Sequence, residues 1–191
     1  GHTDPDYCAA FHASKNINFL ACSLEMADPV SVFMDKTHLK EIPLDREKAG
    51  EICKDRGSYL LILHNEKTFR ETIGALGERE FPAGYYVYVG SAMQGLEKRI
   101  NRHKRKTKKT HWHLDYLSPT HMKITKAYRI RRQERLEEKL ANELSKISNH
   151  SIPGFGASDT KENSHLFYFP SRPNRRRDFI DLLLDAQMFG I

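Results

Sequence analysis

Two tyrosines, an arginine and a histidine stand out by type and spacing. Tyr59 ends the triplet Gly57-Ser58-Tyr59, and Tyr88 opens the triplet Tyr88-Val89-Gly90; each lies beside a glycine in a run of β-forming residues. A lone strand tyrosine ordinarily packs in a core, but here two are followed by Arg99 and His103, four residues apart and hence side by side on one helix face. A guanidinium fork neutralises a phosphate, and a neutral imidazole accepts a proton or supports a neighbouring group. The same helix opens a basic run: Lys98, Arg99, Arg102, Lys104, Arg105, Lys106, Lys108 and Lys109 are eight of the chain's 31 lysines and arginines within residues 98–109. A charge run is ordinarily a solvated face. This one is nearly single-signed, which suits sequence-independent contact with a phosphate backbone, and Arg129, Arg131, Arg132, Arg172 and Arg175 to Arg177 are candidates to extend it. A further set, His111, His113 and Asp115, alternates as if on one strand face and has ligand types that zinc takes; with Trp112 and Tyr116 interleaved, a structural or DNA-facing strand is the preferred reading.

These residues need strands and helices to hold them. Residues 57–65 and 85–89 read as strands, rich in aromatic and β-branched side chains and punctuated by glycine. Between them, residues 69–81 read as a turn region around another short strand. From Gly95 a helix is predicted with Leu96, Ile100 and His103 on one face. Residues 111–117 and 124–130 are predicted strands. Residues 133–147 form a helix with Leu136, Leu140, Leu144 and Ile147 on one stripe. A loop over 151–160 leads to a closing strand at 165–169. Residues 175–188 form a last amphipathic helix, whose Phe179, Ile180, Leu183 and Leu184 either cover the core or form a homodimer surface. The expected fold is α/β (α+β): a small, mostly antiparallel sheet of three to five strands flanked by helices. Residues 1–50 read as an accessory extension, an alternative dimer surface, with short strands at 17–22 and 30–34 and a short helix from Asp45 through Cys53; residues 51–170 are the main domain, and 171–191 the C-terminal helix.

The chain's 191 residues fit one domain with appendages. Its 31 basic against 25 acidic side chains, a net charge of +6, point to an anionic partner. No run approaches the ~18 apolar residues of a membrane span, and no basic segment followed by a long apolar run marks a signal peptide. Three cysteines, Cys8, Cys22 and Cys53, make no disulfide framework, so a reducing, intracellular setting (cytoplasm or nucleoid) is expected, with chemistry downstream of Cys53 that uses no thiolate.

In order, the chain carries Gly57-Ser58-Tyr59; Gly84-Tyr85-Tyr86-Val87-Tyr88-Val89-Gly90-Ser91-Ala92; a Gly-Leu-x-x-Arg-x-x-x-His helix ending at His103; His111-Trp112-His113-Leu114-Asp115-Tyr116-Leu117; a Gly-Phe-Gly-x-Ser-Asp loop from Gly154 to Asp159; and Ser164-His165-Leu166-Phe167. Over residues 56–169 this resembles the GIY-YIG nuclease superfamily, in particular its branch of small proteins found alone or fused to endonuclease III-like repair enzymes. The match departs in three places. Tyr59 and Tyr88 are farther apart than in the shortest members, which implies an insertion in the hairpin between them. Ser58 replaces the central Ile of the first triplet. Thr160 and Glu162 stand where the branch often has Cys-x-Cys, so any Cys/His metal site there is lost or replaced.

The resemblance implies a metal-dependent DNA endonuclease of the kind used in DNA repair, restriction and mobile elements. It assigns catalytic roles to Tyr59, Tyr88, Arg99 and His103, and a Mg²⁺ (or Mn²⁺) ligand to a glutamate on the next helix. Glu134, Glu137, Glu138 and Glu143 all lie there; the branch pattern Glu-x-x-Leu-Ala selects Glu137. A further polar residue of the family falls on Asn142, Asn149 or Asp159. Either Tyr59 or His103 is then the general base, with Lys98, Arg102, Lys104, Arg105, Lys106, Lys108 and Lys109 on DNA or another nucleic acid, and no membrane partner. The competing expectation is an inactive nucleic-acid-binding adaptor of the same fold.

Overall fold

The computed structural model describes residues 55–105, 109–117, 121–156 and 164–191. The strands and helix expected before residue 54, the three cysteines, Lys106, Lys108, Asp159, Thr160 and Glu162 lie outside them. The described fold is mixed α/β. A five-stranded sheet runs in the order β5-β1-β4-β7-β6, with β1 Gly57–Asn65, β4 Gly84–Ala92, β5 Lys123–Ile130, β6 His150–Ser151 and β7 Leu166–Phe169. Every neighbouring pair is antiparallel. β2 Phe69–Thr72 and β3 Glu78–Phe81 pair as a separate hairpin around a 3-10 turn at Gly74–Leu76, and are the insertion expected between the two tyrosines. Four helices complete the described residues: α1 Leu96–Lys104, α2 His113–Leu117, α3 Glu137–Ile147 and α4 Arg177–Met188. No helix among them is long and apolar enough to cross a membrane.

β1 and β4 sit centrally and are covered on both faces, so they read as continuous apolar runs with alternate residues serving opposite layers. On one face Leu60, Ile62, Val87 and Val89 pack with Leu136, Leu140 and Leu144 at α3 and with Phe179, Leu182 and Leu183 of α4. The apolar stripe of α4 thus covers the core, although Ile180 remains exposed. On the other face Tyr59, Leu61, Tyr86 and Tyr88 pack with Leu96 and Ile100 of α1, Leu114 and Leu117 of α2, and Phe81 and Phe155.

Three elements differ from expectation. Residues 111–117 alternate in polarity yet end in helix α2 instead of a strand. The Asp115 carboxylate turns back to accept the amide hydrogens of His111 (3.0 Å) and Trp112 (3.1 Å), while the Asp115 N–H donates to the Trp112 carbonyl at 2.9 Å. This is half of a capping box, and such local side-chain bonds outcompete a ladder. α3 starts at Glu137, four residues later than the apolar stripe predicts. The segment before it has no Ser, Thr, Asp or Asn cap; the Leu136 N–H instead donates to Ser58 Oγ of β1 at 2.9 Å. Lastly, β6 occupies His150 and Ser151, the latter the first residue of the predicted loop, and lengthens the sheet by one strand.

Candidate active site

Tyr59 and Tyr88 are brought together by the β1–β4 register, in which Tyr59 lies opposite Gly90. Tyr59 is 1% exposed and Tyr88 6%, with ring centroids 6.3 Å apart. Gly90 has a spatial reason: a methyl group there would overlap the Cζ and Oη of Tyr59, so the ring rests on bare backbone. Behind Tyr59 stands His103, fully buried, whose Nε2 is 2.9 Å from Tyr59 Oη. Arg99, one turn earlier on α1, faces the Tyr59 hydroxyl as both a hydrogen-bonding and a charged neighbour.

These groups open onto a cleft of about 730 Å³ at the end of the sheet where β1 begins and β4 ends. Tyr59, Tyr88, Arg99 and Glu137 line it, whereas His103 lies behind Tyr59 and not in the wall. Glu137 comes from the opposite layer. It is the first residue of α3, and its side chain is 24% exposed. Glu138 also lines the cleft; Glu143 is committed to Lys146 (2.6 Å) and Glu134 to Lys139 (3.1 Å).

The electrostatics of the two tyrosines follow from this enclosure. Burial holds the Tyr59 hydroxyl well above its ordinary pKa of 10; Tyr88 and Glu137 add to the rise, and Arg99 opposes it. Tyr88 is likewise raised, first by burial and then by Glu137. Both are protonated across the neutral range. His113, also in the cleft wall, is lowered by burial, and its Nδ1 accepts the Gly156 N–H at 2.9 Å, so the ring is neutral with its proton on Nε2.

Among the described residues, no group of three or more His, Cys, Asp and Glu side chains is placed to hold a metal ion. The strand on which His111, His113 and Asp115 were to converge for zinc does not exist: Asp115 is committed to backbone amides and to Arg102, and His113 to Gly156. Glu137 offers a partly open carboxylate in a roomy cleft, with Glu138 beside it in the lining. This donor set suits Mg²⁺, which keeps most of its waters and takes one or two carboxylates, better than an ion needing an all-protein cage.

The basic run divides by exposure. Lys98, Lys104, Arg105 and Lys109 are exposed on or just after α1. Arg102 is not a free cation. Its guanidinium pairs with Asp115 (3.0 Å), donates to the Lys109 carbonyl (2.9 Å), and lies over the Trp112 ring at 4.1 Å. Of the arginines predicted to widen the patch, three serve the fold instead: Arg129 and Arg131 pair with Glu97, the latter at 3.0 Å, and Arg132 donates to the Gln187 carbonyl at 3.1 Å, whereas Arg172, Arg175 and Arg177 are exposed.

Two cleft residues escape a reading by motif chemistry. Trp112 stacks against both Arg99 and Arg102 from α2's start, with the Arg99 guanidinium carbon 4.3 Å from its ring centre. His165, just before β7, has Nδ1 3.1 Å from Glu137 Oε1. Their place in the motif segments at residues 111–117 and 164–167 was the available signal, but the partners that give them a role lie in other segments.

The family model described as "Domain of unknown function DUF123" matches residues 58–188, more than half of the chain, and the chain belongs to that family. The matched span takes in every residue of the cleft. No curated protein and no solved structure matches the chain.

Proposed function

We propose that this member of the DUF123 family is a divalent-metal-dependent nuclease hydrolysing phosphodiester bonds in DNA. The observation that carries the reading is the convergence of Tyr59, Tyr88, Arg99 and Glu137 on one cleft from β1, β4, α1 and α3, with His103 bonded to Tyr59 from behind. The resemblance of the ordered motifs to the GIY-YIG nucleases supports it.

Phosphodiester hydrolysis requires an in-line water, relief of charge on the phosphate and proton transfer. Glu137 is the residue to hold Mg²⁺ or Mn²⁺, which when bound neutralises charge on the phosphate and the leaving oxygen. Arg99, held against Trp112, pairs with a non-bridging oxygen. The choice of base follows from the order of the groups. His103 has no surface in the cleft, so it meets the attacking water only through Tyr59. As the water oxygen bonds to phosphorus, the P–O bond to the leaving oxygen breaks, that oxygen departing with the electron pair and taking a proton from solvent in the cleft, and the water's proton passes to Tyr59 Oη. The original Tyr59 proton passes to His103 Nε2. Tyr59 never carries a full negative charge, which accommodates a hydroxyl whose ionisation is disfavoured by burial and by Glu137. Tyr88 keeps its proton and orients the constellation.

The test is cleavage of single-stranded, duplex and flap DNA with Mg²⁺ or Mn²⁺, alongside binding by anisotropy. The wild-type protein should cut, and Arg99→Ala and Glu137→Ala should bind without cutting. Cleavage by either variant at the wild-type rate refutes the assignment, and a protein that binds every substrate but cuts none is the inactive adaptor.

A further inference from the structure

His165 has no part in the scheme above, yet its ring lies against the side chain that scheme assigns to the metal. Its imidazole is 1% exposed, lines the same cleft as Tyr59 and Arg99, and has Nδ1 3.1 Å from Glu137 Oε1. Burying a polar ring costs free energy unless its contacts compensate, so the site warrants an account.

The ring's position is set from three sides. The His165 N–H donates to the Phe155 carbonyl at 2.7 Å, and its own carbonyl accepts the Val89 N–H at 2.9 Å, one residue beyond Tyr88 on β4. Ser164 Oγ accepts the next amide, that of Leu166, at 3.0 Å. On the third side the loop closes down at Gly156, in a left-handed conformation (φ +74°) where a Cβ would stand 3.2 Å from His165 Cβ. The imidazole is thereby tied to the strand that carries Tyr88. Glu137, by contrast, sits on the first turn of a helix in the other layer, with a long side chain in the cleft wall that is 24% exposed. The contact between the two joins a mobile type of side chain to a fixed one across the layers.

We infer that His165 is a positioning residue that holds the Glu137 carboxylate in place for a divalent cation. This rests on the reading of Glu137 as the metal ligand. Partners that hold a ligating group in this way typically contribute 10–100-fold to metal affinity.

Mn²⁺ binding to the full chain, measured by isothermal titration calorimetry, separates the two ideas. Glu137→Gln should lose Mn²⁺ binding. His165→Ala should weaken it by about 10–100-fold. His165→Asn, whose amide nitrogen reaches the place of Nδ1, should bind within about threefold of wild type, since it restores the contact. In cleavage assays His165→Ala should need correspondingly more Mn²⁺ for half-maximal rate, with the maximal rate recovering at saturation; a merely structural role would lower the maximal rate instead. If Glu137→Gln abolishes binding while His165→Ala binds as wild type does, the inference fails and the metal reading stands. If Glu137→Gln binds as wild type does, the metal reading fails and takes this inference with it. Should His165→Ala not fold, the His165 ring resonances of the wild-type protein decide: Mn²⁺ should broaden them, and not in Glu137→Gln, and rings unaffected by Mn²⁺ overturn the inference.

Discussion

Tyr59 Oη is the atom on which the proposed chemistry turns, because Tyr59 lines the cleft and its hydroxyl is within hydrogen-bond distance of His103 Nε2. Tyr59→Phe keeps the ring on Gly90 and removes only the proton path. Single-turnover cleavage should fall by about 10²–10⁴-fold, the usual contribution of general acid–base catalysis, with DNA binding by anisotropy unchanged; a loss under tenfold would remove Tyr59 from the proton path. Gly90→Ala attacks the same residue sterically. Its methyl group meets the ring and hydroxyl of Tyr59, a side chain buried on all sides that has little room to move. Overpacking of this kind costs about 1–3 kcal/mol, visible as a lower urea midpoint together with lost cleavage. Tyr59, Tyr88, Arg99 and Glu137 were legible in the sequence because motif order marks them; strand register joins the two tyrosines, and helix spacing joins Arg99 to His103. Trp112 and His165 were not. Their significance lies in contacts with Arg99 and Glu137, which no period of 2 or 3.6 encodes.

At the scale of elements, α1 must present Arg99 and His103 at a fixed height above β1. Its first amides are satisfied from outside the helix: Gly95 and Leu96 donate to the Asp55 carbonyl and Glu97 to the Asp55 carboxylate, each at 3.0 Å. Glu97 then pins the first turn to β5 through Arg129 and Arg131. Partial burial acts to raise its carboxyl, but the two arginines prevail and hold it below the usual range. A depressed carboxyl stabilises the fold above its unfolded pKa of about 4.3 and stops doing so as pH falls through the folded value. Glu97→Gln should therefore lower the urea midpoint at pH 7 and flatten its fall between about pH 4.5 and 3; an unchanged acid slope would show that the cluster does not couple to folding. α3 is placed by a different device. Ser58 Oγ accepts the Leu136 N–H and lies 3.0 Å from Ser91 Oγ, tying the helix start to β1 and β4 just where Glu137 emerges. Ser58→Ala leaves that buried amide without its acceptor, at a cost of about 1–3 kcal/mol in denaturant unfolding. The apolar stripe made this helix legible, but not its first residue, because the group that starts it comes from 78 positions away.

For the whole molecule, the sheet separates two helical layers, and the cleft forms at the strand ends where both layers reach past it. α1 comes from one side with Arg99, and α3 from the other with Glu137. The fold class, the central strands and the covering helices follow from periodicity; the meeting of layers at one sheet end does not, since it depends on the strand order β5-β1-β4-β7-β6. The net charge of +6 is also redistributed by folding. Arg102, Arg129 and Arg131 spend their charge on Asp115 and Glu97, leaving Lys98, Lys104, Arg105 and Lys109 among the exposed cations on or just after α1. Exposed cations that meet phosphates release counterions, and each contact contributes about 0.9 to the slope of log K against log salt on duplex DNA. Replacing Lys98, Lys104 and Arg105 together by Gln should reduce that slope by about 2–3 without moving the thermal midpoint. Arg102→Gln should do the reverse. It leaves a fully enclosed Asp115 carboxylate without its cation, which costs about 3 kcal/mol, the low end for breaking a buried pair, while the salt slope changes by less than one contact's worth. Anisotropy titrations from low to moderate salt, paired with thermal melts, read both quantities on the same samples. Equal slopes for the triple variant and the wild type would move the phosphate track off α1, and a full unit lost in Arg102→Gln at unchanged stability would return Arg102 to it.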